Sequence, residues 1–351
     1  MEAQTFMSQF NTQVLPAQSK DDFDRAVDLA AAQLRLGEVV AVPTETVYGL
    51  AGNALSGAAV RKIFEIKGRP QSNPLIVHVA DWSMIEQCAL EWDTAASQLA
   101  KAFWPGPLTL VVRKSHLIPS EVTAGGETVA IRWPSHPIMQ AVIKAAGFPL
   151  AAPSANRSNA LSPTQARHVV SQLNGAIPLV VDGGHSAVGI ESTVVDLVHL
   201  PARILRPGMV QRAALVAACD SLDWEPEGGA NTQDEVSRSP GLLKQHYSPQ
   251  ARLMIVSWES QVDLETIVRT TGLARSEISV MTYDQIPDGA GFARVSVIPD
   301  DAEAYARALF SELHLCDEAG SALILVEALP ENAEWDGIRD RLRRASAKES
   351  G

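Results

Sequence analysis

Residues 42–78 read VPTETVYGLAGNALSGAAVRKIFEIKGRPQSNPLIVH. The left end closes an apolar run, Val39-Val40-Ala41-Val42, with a proline and then Thr44, Glu45 and Thr46. A buried strand that stops in polar side chains delivers them to a cleft. The middle, Ala58 to Ile66, has helical spacing, and Lys67 and Arg69 bracket Gly68 just past its end. The right end, Leu75 to Val79, is a second strand-like run and carries His78 in an otherwise apolar setting. Small hydroxyls beside two cations and a glycine suit a polyanion such as a nucleoside triphosphate. Each residue also has a plainer explanation: the helix dipole favours cations at a C-terminus, and a lone strand histidine commonly makes a structural hydrogen bond. The combination is what points to a ligand.

Outward from this stretch, β-like runs alternate with amphipathic helical ones. Strands are expected at Val39–Val42, Leu75–Val79, Leu108–Arg113, Val129–Arg132, Leu179–Val181, Thr193–Leu197 and Ala202–Leu205, and helices at Asp22–Leu36, Ala58–Ile66, Thr94–Phe103, Pro137–Ala146 and Thr164–Leu173. Such alternation is that of an α/β domain, here residues 20–210. The run Glu225-Pro226-Glu227-Gly228-Gly229-Ala230-Asn231 has linker composition and leads to the proline-bounded stretch Ser239–Pro249; residues 211–250 are expected to form a linker or lid. A smaller α/β domain is expected over 251–346, with strands near Leu253–Val256, Ile278–Met281, Ala293–Val297 and Leu323–Val326. Its helices fall near Val262–Thr270 and Ala302–Leu315, where Tyr305, Leu309 and Leu313 form a core-facing stripe.

Composition narrows the class. With 351 residues, 46% hydrophobic and 20% charged, the chain is that of a two-domain globular protein. It has no apolar tract of about eighteen residues, and its opening MEAQTFMSQFNTQ lacks the regions of a secretory signal; the expected compartment is the cytoplasm, without a membrane partner. Cys88, Cys219 and Cys316 are far apart and lack metal-site spacing, so buried thiols are expected and no protein-held metal. Residues 1–210 carry 16 Lys and Arg against 17 Asp and Glu, whereas residues 211–351 carry 13 against 24, so a net of −11 lies in the C-terminal part. That part is poorly suited to gripping a phosphate backbone.

The motif PTETVYGL, KGRP and NPLIVH resembles the signature of the Sua5/YrdC/YwlC family, which makes threonylcarbamoyl-adenylate. The resemblance continues through Trp104–Thr109 (WPGPLT), Thr128–Arg132 (TVAIR), Ala151–Asn156 (AAPSAN), Ser162-Pro163-Thr164, Asp182-Gly183-Gly184, Glu191-Ser192-Thr193 and Leu205–Gly208 (LRPG), ten ordered motifs in all. It implies a YrdC-like twisted mixed sheet with a concave active-site face, followed by a smaller C-terminal α/β, Rossmann-like domain of the longer Sua5 branch. It also implies a reaction in which L-threonine, bicarbonate or CO2, and ATP give threonylcarbamoyl-AMP and pyrophosphate. The product feeds N6-threonylcarbamoyladenosine formation at tRNA position 37 through a downstream tRNA threonylcarbamoyl-transferase complex, with a possible transient contact to tRNA.

Carried over residue by residue, the resemblance places Thr46, His78, Arg132, Ala152 and Ser192 around threonine. It places Lys67, Arg69, Asn73, Thr128, Ser154, Asn156, Ser162, Arg206 and Tyr247 around ATP. Lys67 and Arg69 are expected to carry the chemistry by offsetting phosphate charge, as cations exposed at a helix end. Arg132 suits a carboxylate. Mg2+ is expected to arrive with ATP, held by phosphate and water. No Walker A loop or dinucleotide glycine fingerprint is present. The competing expectations are a non-catalytic RNA-binding YrdC-like module, opposed by the acidic C-terminal part, and carbamoyl-phosphate-dependent transfer, which in related chains goes with zinc-finger-like and acylphosphatase-like regions not seen here.

Overall fold

The computed structural model describes residues 10–225 and 247–347. Two compact units divide the chain. The first comprises residues up to Ser158 and Ser162–Leu242, and the second Asn159–Leu161 with Leu243 onward.

The first unit is built on a mixed ten-stranded sheet. Its strands are β1 (Gln13–Pro16), β2 (Val40–Val42), β3 (Gly49–Asn53), β4 (Ile76–His78), β5 (Leu108–Arg113), β6 (Thr128–Arg132), β7 (Leu150–Ala151), β8 (Leu179–Asp182), β9 (Thr193–Asp196) and β10 (Arg203–Arg206). They lie side by side in the order β1-β8-β2-β3-β7-β4-β6-β5-β9-β10. The helices of this unit are α1 (Lys20–Arg35), α2 (Gly57–Lys67), α3 (Trp82–Cys88), α4 (Thr94–Phe103), α5 (Ser120–Thr123), α6 (Pro137–Ala146), α7 (Ala166–Leu173) and α8 (Arg212–Ala218). Helix starts follow capping chemistry: Ser19 accepts from the Asp22 amide at α1 and Ser56 from the Ala59 amide at α2. Gly68 ends α2 in the left-handed region at φ 62°, a conformation that glycine adopts without a Cβ penalty. This turn separates Lys67, on the last helical turn, from Arg69.

Strands of the middle of the sheet are buried along most of their length, so they read as near-continuous apolar runs. Val40, Ala41, Leu50, Val77, Ile131, Leu150 and Val180 belong to one core with the inward faces of α1 and α6. A second cluster joins Leu99, Leu108, Leu110 and Val195 to Val210, Leu215 and Cys219. The expected linker 211–250 is therefore not a linker at its start: α8 closes a core, and Trp224 bridges Ala202. Residues 226–246 of that expected linker lie outside the described residues.

In the second unit β11 (Arg252–Val256), β12 (Ile278–Thr282), β13 (Arg294–Val297) and β14 (Leu323–Glu327) form an all-parallel sheet in the order β11-β14-β12-β13. Helices α9 (Gln261–Thr271), α10 (Ala302–Glu318) and α11 (Asp336–Ser346) accompany them. Tyr305, Leu309 and Leu313 are buried, as their stripe predicted. Cys88, Cys219 and Cys316 are free and buried.

Candidate active site

Strand register sorts the candidate residues into two groups. β4 and β6 run parallel with Ile76 opposite Ala130 and His78 opposite Arg132. Thr128 starts the five-residue β6 and Arg132 ends it, so the two lie about 13 Å apart at ~3.3 Å per residue. β7 runs antiparallel to β4, with Leu150 opposite His78 and the Ala152 amide bonded to the Ile76 carbonyl at 3.1 Å. The chain then continues toward Ser154 at the end where β4 and β6 begin. One end of these strands thus carries His78 and Arg132, and the other receives Asn73, Thr128 and Ser154. Along β4 and β6, then, His78 and Arg132, expected around threonine, separate from Asn73 and Thr128, expected around ATP, with Ala152 between them; Thr46, which follows the strand pair that meets Ser154, reaches Arg132 nonetheless. Space at Ala152 is tight: a Cβ built on Gly49 would sit 3.1 Å from the Ala152 Cβ.

At the first end, Arg132 is buried and anchored on three sides. Its Nη1 donates to Thr46 Oγ1 at 2.9 Å and its Nε to the Gly106 carbonyl at 3.3 Å. Nη2 stands 2.7 Å from Glu45 Oε1, yet the contact is not aligned as a hydrogen bond, and neither carboxylate oxygen of Glu45 has a hydrogen-bond partner. The Arg132 charge and, more strongly, burial push the His78 imidazole down to about 3, so it stays neutral. The Thr44 hydroxyl holds the turn that carries these groups: it donates to the Val47 carbonyl at 2.6 Å and accepts from the Thr46 and Val47 amides.

Next to Arg132, Thr109 Oγ1 and Ser192 Oγ are 2.7 Å apart. Arg206 approaches from the end of β10 and donates from Nη2 to Ser192 Oγ and from Nε to the Ser192 carbonyl, each at 3.1 Å. Arg206, expected at ATP, and Ser192, expected at threonine, therefore touch. This contact is where the two groups of residues meet.

The cations of the KGRP turn are not exposed, contrary to expectation. Lys67 is 2% accessible and Arg69 7%. Lys67 Nζ donates to the Ser154 and Asn156 carbonyls, both at 2.6 Å, and to Asn156 Oδ1 at 3.3 Å, so it pins the Ser-Ala-Asn turn. Burial, and then the Arg69 charge, hold its ammonium well below the usual lysine range, with Glu191 opposing. Arg69 donates to the carbonyls of Asn73 and Pro74 at 3.2 and 3.0 Å, shaping the loop that enters β4. Ser162 Oγ donates to Glu191 Oε1 at 2.5 Å. Tyr247 belongs to the second unit, where its ring packs on Phe310 at 5.6 Å and beneath the Arg341 guanidinium at 5.5 Å.

Thr109 and Glu191 enter the site from the structure rather than from the sequence reading, as does a place beside Arg132 for Glu45, which the sequence delivers to a cleft without assigning it a ligand. Each lies inside or beside a quoted motif, PTET, WPGPLT and EST, but only register and burial single them out.

Comparison with known proteins shows the family. Residues 32–208 match the Sua5, YciO and YrdC family described as telomere recombination, and residues 209–347 match the threonylcarbamoyl-AMP synthase C-terminal domain. The chain is 38% identical to the threonylcarbamoyl-AMP synthase of Pyrococcus abyssi over 326 residues, covering 91% of this chain and 94% of that one. Identity to the Bacillus subtilis threonylcarbamoyl-AMP synthase is also 38% over 326 residues, with 92% and 93% covered. The crystal structure of P. abyssi Sua5 complexed with L-threonine superposes with a TM-score of 0.85 at 36% identity, covering 95% of this chain and 98% of that one.

Proposed function

Because this chain belongs to the two-domain Sua5 branch of the threonylcarbamoyl-AMP synthase family, we propose that it joins L-threonine, bicarbonate or CO2, and ATP into threonylcarbamoyl-AMP with release of pyrophosphate. The observation that carries this is the Ser192–Arg206 contact between the two residue groups. The threonine nitrogen, as its free amine, first bonds the one-carbon unit as a carbamate, with loss of a proton when CO2 enters or of water when bicarbonate does. A carbamate oxygen then attacks the α-phosphorus of ATP, the bond to the β-phosphate oxygen breaks, and the electron pair leaves with pyrophosphate. That is a nucleotidyl transfer, and alignment with charge stabilisation is most of what it asks of a protein.

Arg132 offers a guanidinium for the threonine carboxylate. Thr46 positions that guanidinium, and neutral His78 beside it supplies a hydrogen-bonding group for the threonine hydroxyl without adding charge. A site built to pair that hydroxyl rejects valine, because the lost partner leaves a buried polar group unpaired. Arg206, sharing Ser192, is suited to the negative charge of the transferring phosphoryl group. Lys67 and Arg69 act in this scheme chiefly by holding the 154–156 and 73–74 backbones against which the nucleotide would lie. Asn73, Thr128, Ser154, Asn156, Ser162 and Tyr247 are the further nucleotide contacts of this scheme, on their match to the family's motifs. Mg2+ enters with ATP on phosphate oxygens and water; among the described residues no three His, Cys, Asp or Glu side chains gather as a cage, and none is assigned to it.

The product is suited to a tRNA threonylcarbamoyl-transferase, since a mixed carbamic-phosphoric anhydride is an activated acyl donor. The cytoplasm is the compartment this activity calls for; among the described residues no helix is long and apolar enough to cross a membrane. Purified protein given ATP and bicarbonate should release pyrophosphate only when threonine is present. Release independent of threonine would contradict the assignment.

A further inference from the structure

Glu45 has no role in the scheme above, yet it is one of the most costly residues in the site. It is 5% accessible, and burying a carboxylate costs several kcal/mol unless its lone pairs are used. Here they meet only a 2.7 Å ion contact with Arg132 Nη2: both oxygens lack a hydrogen-bond partner, as does that Nη2. The backbone under Glu45 is fixed, its carbonyl accepting from the Val188 amide at 2.6 Å, so the carboxylate is held in place rather than stranded by a loose turn. His136, a neighbouring ionisable group on which Glu45 acts, does not relieve it. Burial keeps that imidazole below its ordinary value, and its Nδ1 already accepts from the Ile138 amide at 3.2 Å.

A buried carboxylate without a hydrogen bond, ion-paired to an incompletely used guanidinium, is a matched pair for a ligand that bears both charges on neighbouring atoms. We propose that Glu45 binds the α-ammonium of the incoming amino acid while Arg132 binds its carboxylate, so that the two side chains clamp the zwitterionic head of threonine. This rests on the reading of Arg132 as part of the threonine pocket and adds the residue that recognises the other end of the charge pair. The charges balance: Glu45 with Arg132 is neutral, a zwitterion is neutral, and its entry buries no net charge. A hydroxy acid of the same shape would bring one uncompensated negative charge next to Glu45. The clamp therefore selects α-amino acids over their α-hydroxy counterparts before any chemistry takes place, and it holds at a defined point beside Arg132 the nitrogen that is carbamoylated once the ammonium has given up a proton.

Calorimetric titration of wild type and Glu45→Gln with L-threonine and with 2,3-dihydroxybutanoate, in which a hydroxyl replaces the ammonium, tests this. Wild type should prefer threonine by about 10- to 100-fold, the size of one charge-assisted hydrogen bond. Glu45→Gln should lose most of that preference by binding threonine more weakly, with the hydroxy acid bound no worse. Equal losses for both ligands would mean that Glu45 only steadies Arg132, and would overturn the proposal. Equal affinity of the wild type for the two ligands would overturn it whether or not the variant folds. If the wild type binds neither ligand but binds ATP, the threonine assignment itself fails, and this proposal with it.

Discussion

His78 and Arg132 occupy opposed positions on the parallel strands β4 and β6, which sets a neutral imidazole beside a buried guanidinium at one end of the sheet. Arg132→Ala should therefore do two things. Threonine affinity should fall by roughly 2–5 kcal/mol, the cost of losing a desolvated charge partner. Stability should fall by about 3–5 kcal/mol, because Glu45 is left as a buried unpaired charge. Arg132→Gln combined with Glu45→Gln should recover most of the stability and none of the threonine binding. Unchanged threonine affinity in a folded Arg132 variant, measured by calorimetry, would remove it from the site.

Stability should fall in acid, partly through His78. The unfolded imidazole takes up a proton near pH 6.5, whereas the folded one resists until about 3. The contribution is thus complete above pH 6.5 and is lost as pH drops through that window, at no more than about 1.4 kcal/mol per pH unit. His136, also lowered by burial, acts in the same direction. Urea unfolding of wild type and His78→Gln between pH 4.5 and 7.5 should show a shallower pH dependence in the variant; identical slopes would contradict this account of His78.

Lys67→Met should be costly to the fold. Two carbonyls and an amide oxygen lose their donor, and each buried group left unsatisfied costs ~1–3 kcal/mol, so at least about 3 kcal/mol is expected. Arg61→Ala, which removes a largely exposed cation paired with Glu121, should stay within about 1 kcal/mol. Thermal melts in which the two variants behave alike would show that Lys67 does not pin the 154–156 turn.

A chain ending after Gly208 should melt lower and less cooperatively than one ending after Glu225. The shorter chain loses Leu215, Cys219 and Trp224 from the cluster around Leu108, Leu110 and Val195. Equal melting temperatures by circular dichroism would mean that α8 adds nothing to the first unit.

Much of this architecture can be read in the sequence because the apolar runs are long. Leu108–Arg113, Thr94–Phe103 and Pro137–Ala146 match the expected bounds. The strands that escape are short or weak in strand formers. β3 is Gly-Leu-Ala-Gly-Asn and β7 only Leu150-Ala151, so pairing with neighbours, not propensity, makes them strands. Helix α11 escapes for another reason: its charges look solvated, yet Arg341 is buried with Asp340, which also pairs with Arg343 and Arg344. In the site, motif matching names Arg132 and His78 together, and the strand register sets them side by side. It misreads Lys67, since a helix-end lysine looks the same in sequence whether its ammonium meets water or three carbonyl-type oxygens. It passes over Glu45, whose meaning lies in the absence of hydrogen bonds around it, a property only packing reveals.

The most direct test of the proposed chemistry follows the carbon. Wild-type protein incubated with 13C-bicarbonate, L-threonine and MgATP, quenched and examined at once by mass spectrometry, should yield a labelled adenylate containing threonine, with one 13C atom between the amino nitrogen and the α-phosphate. Its amount should equal the pyrophosphate released. Labelled carbon absent from the adenylate, or an adenylate formed equally well without threonine, would contradict the proposed reaction.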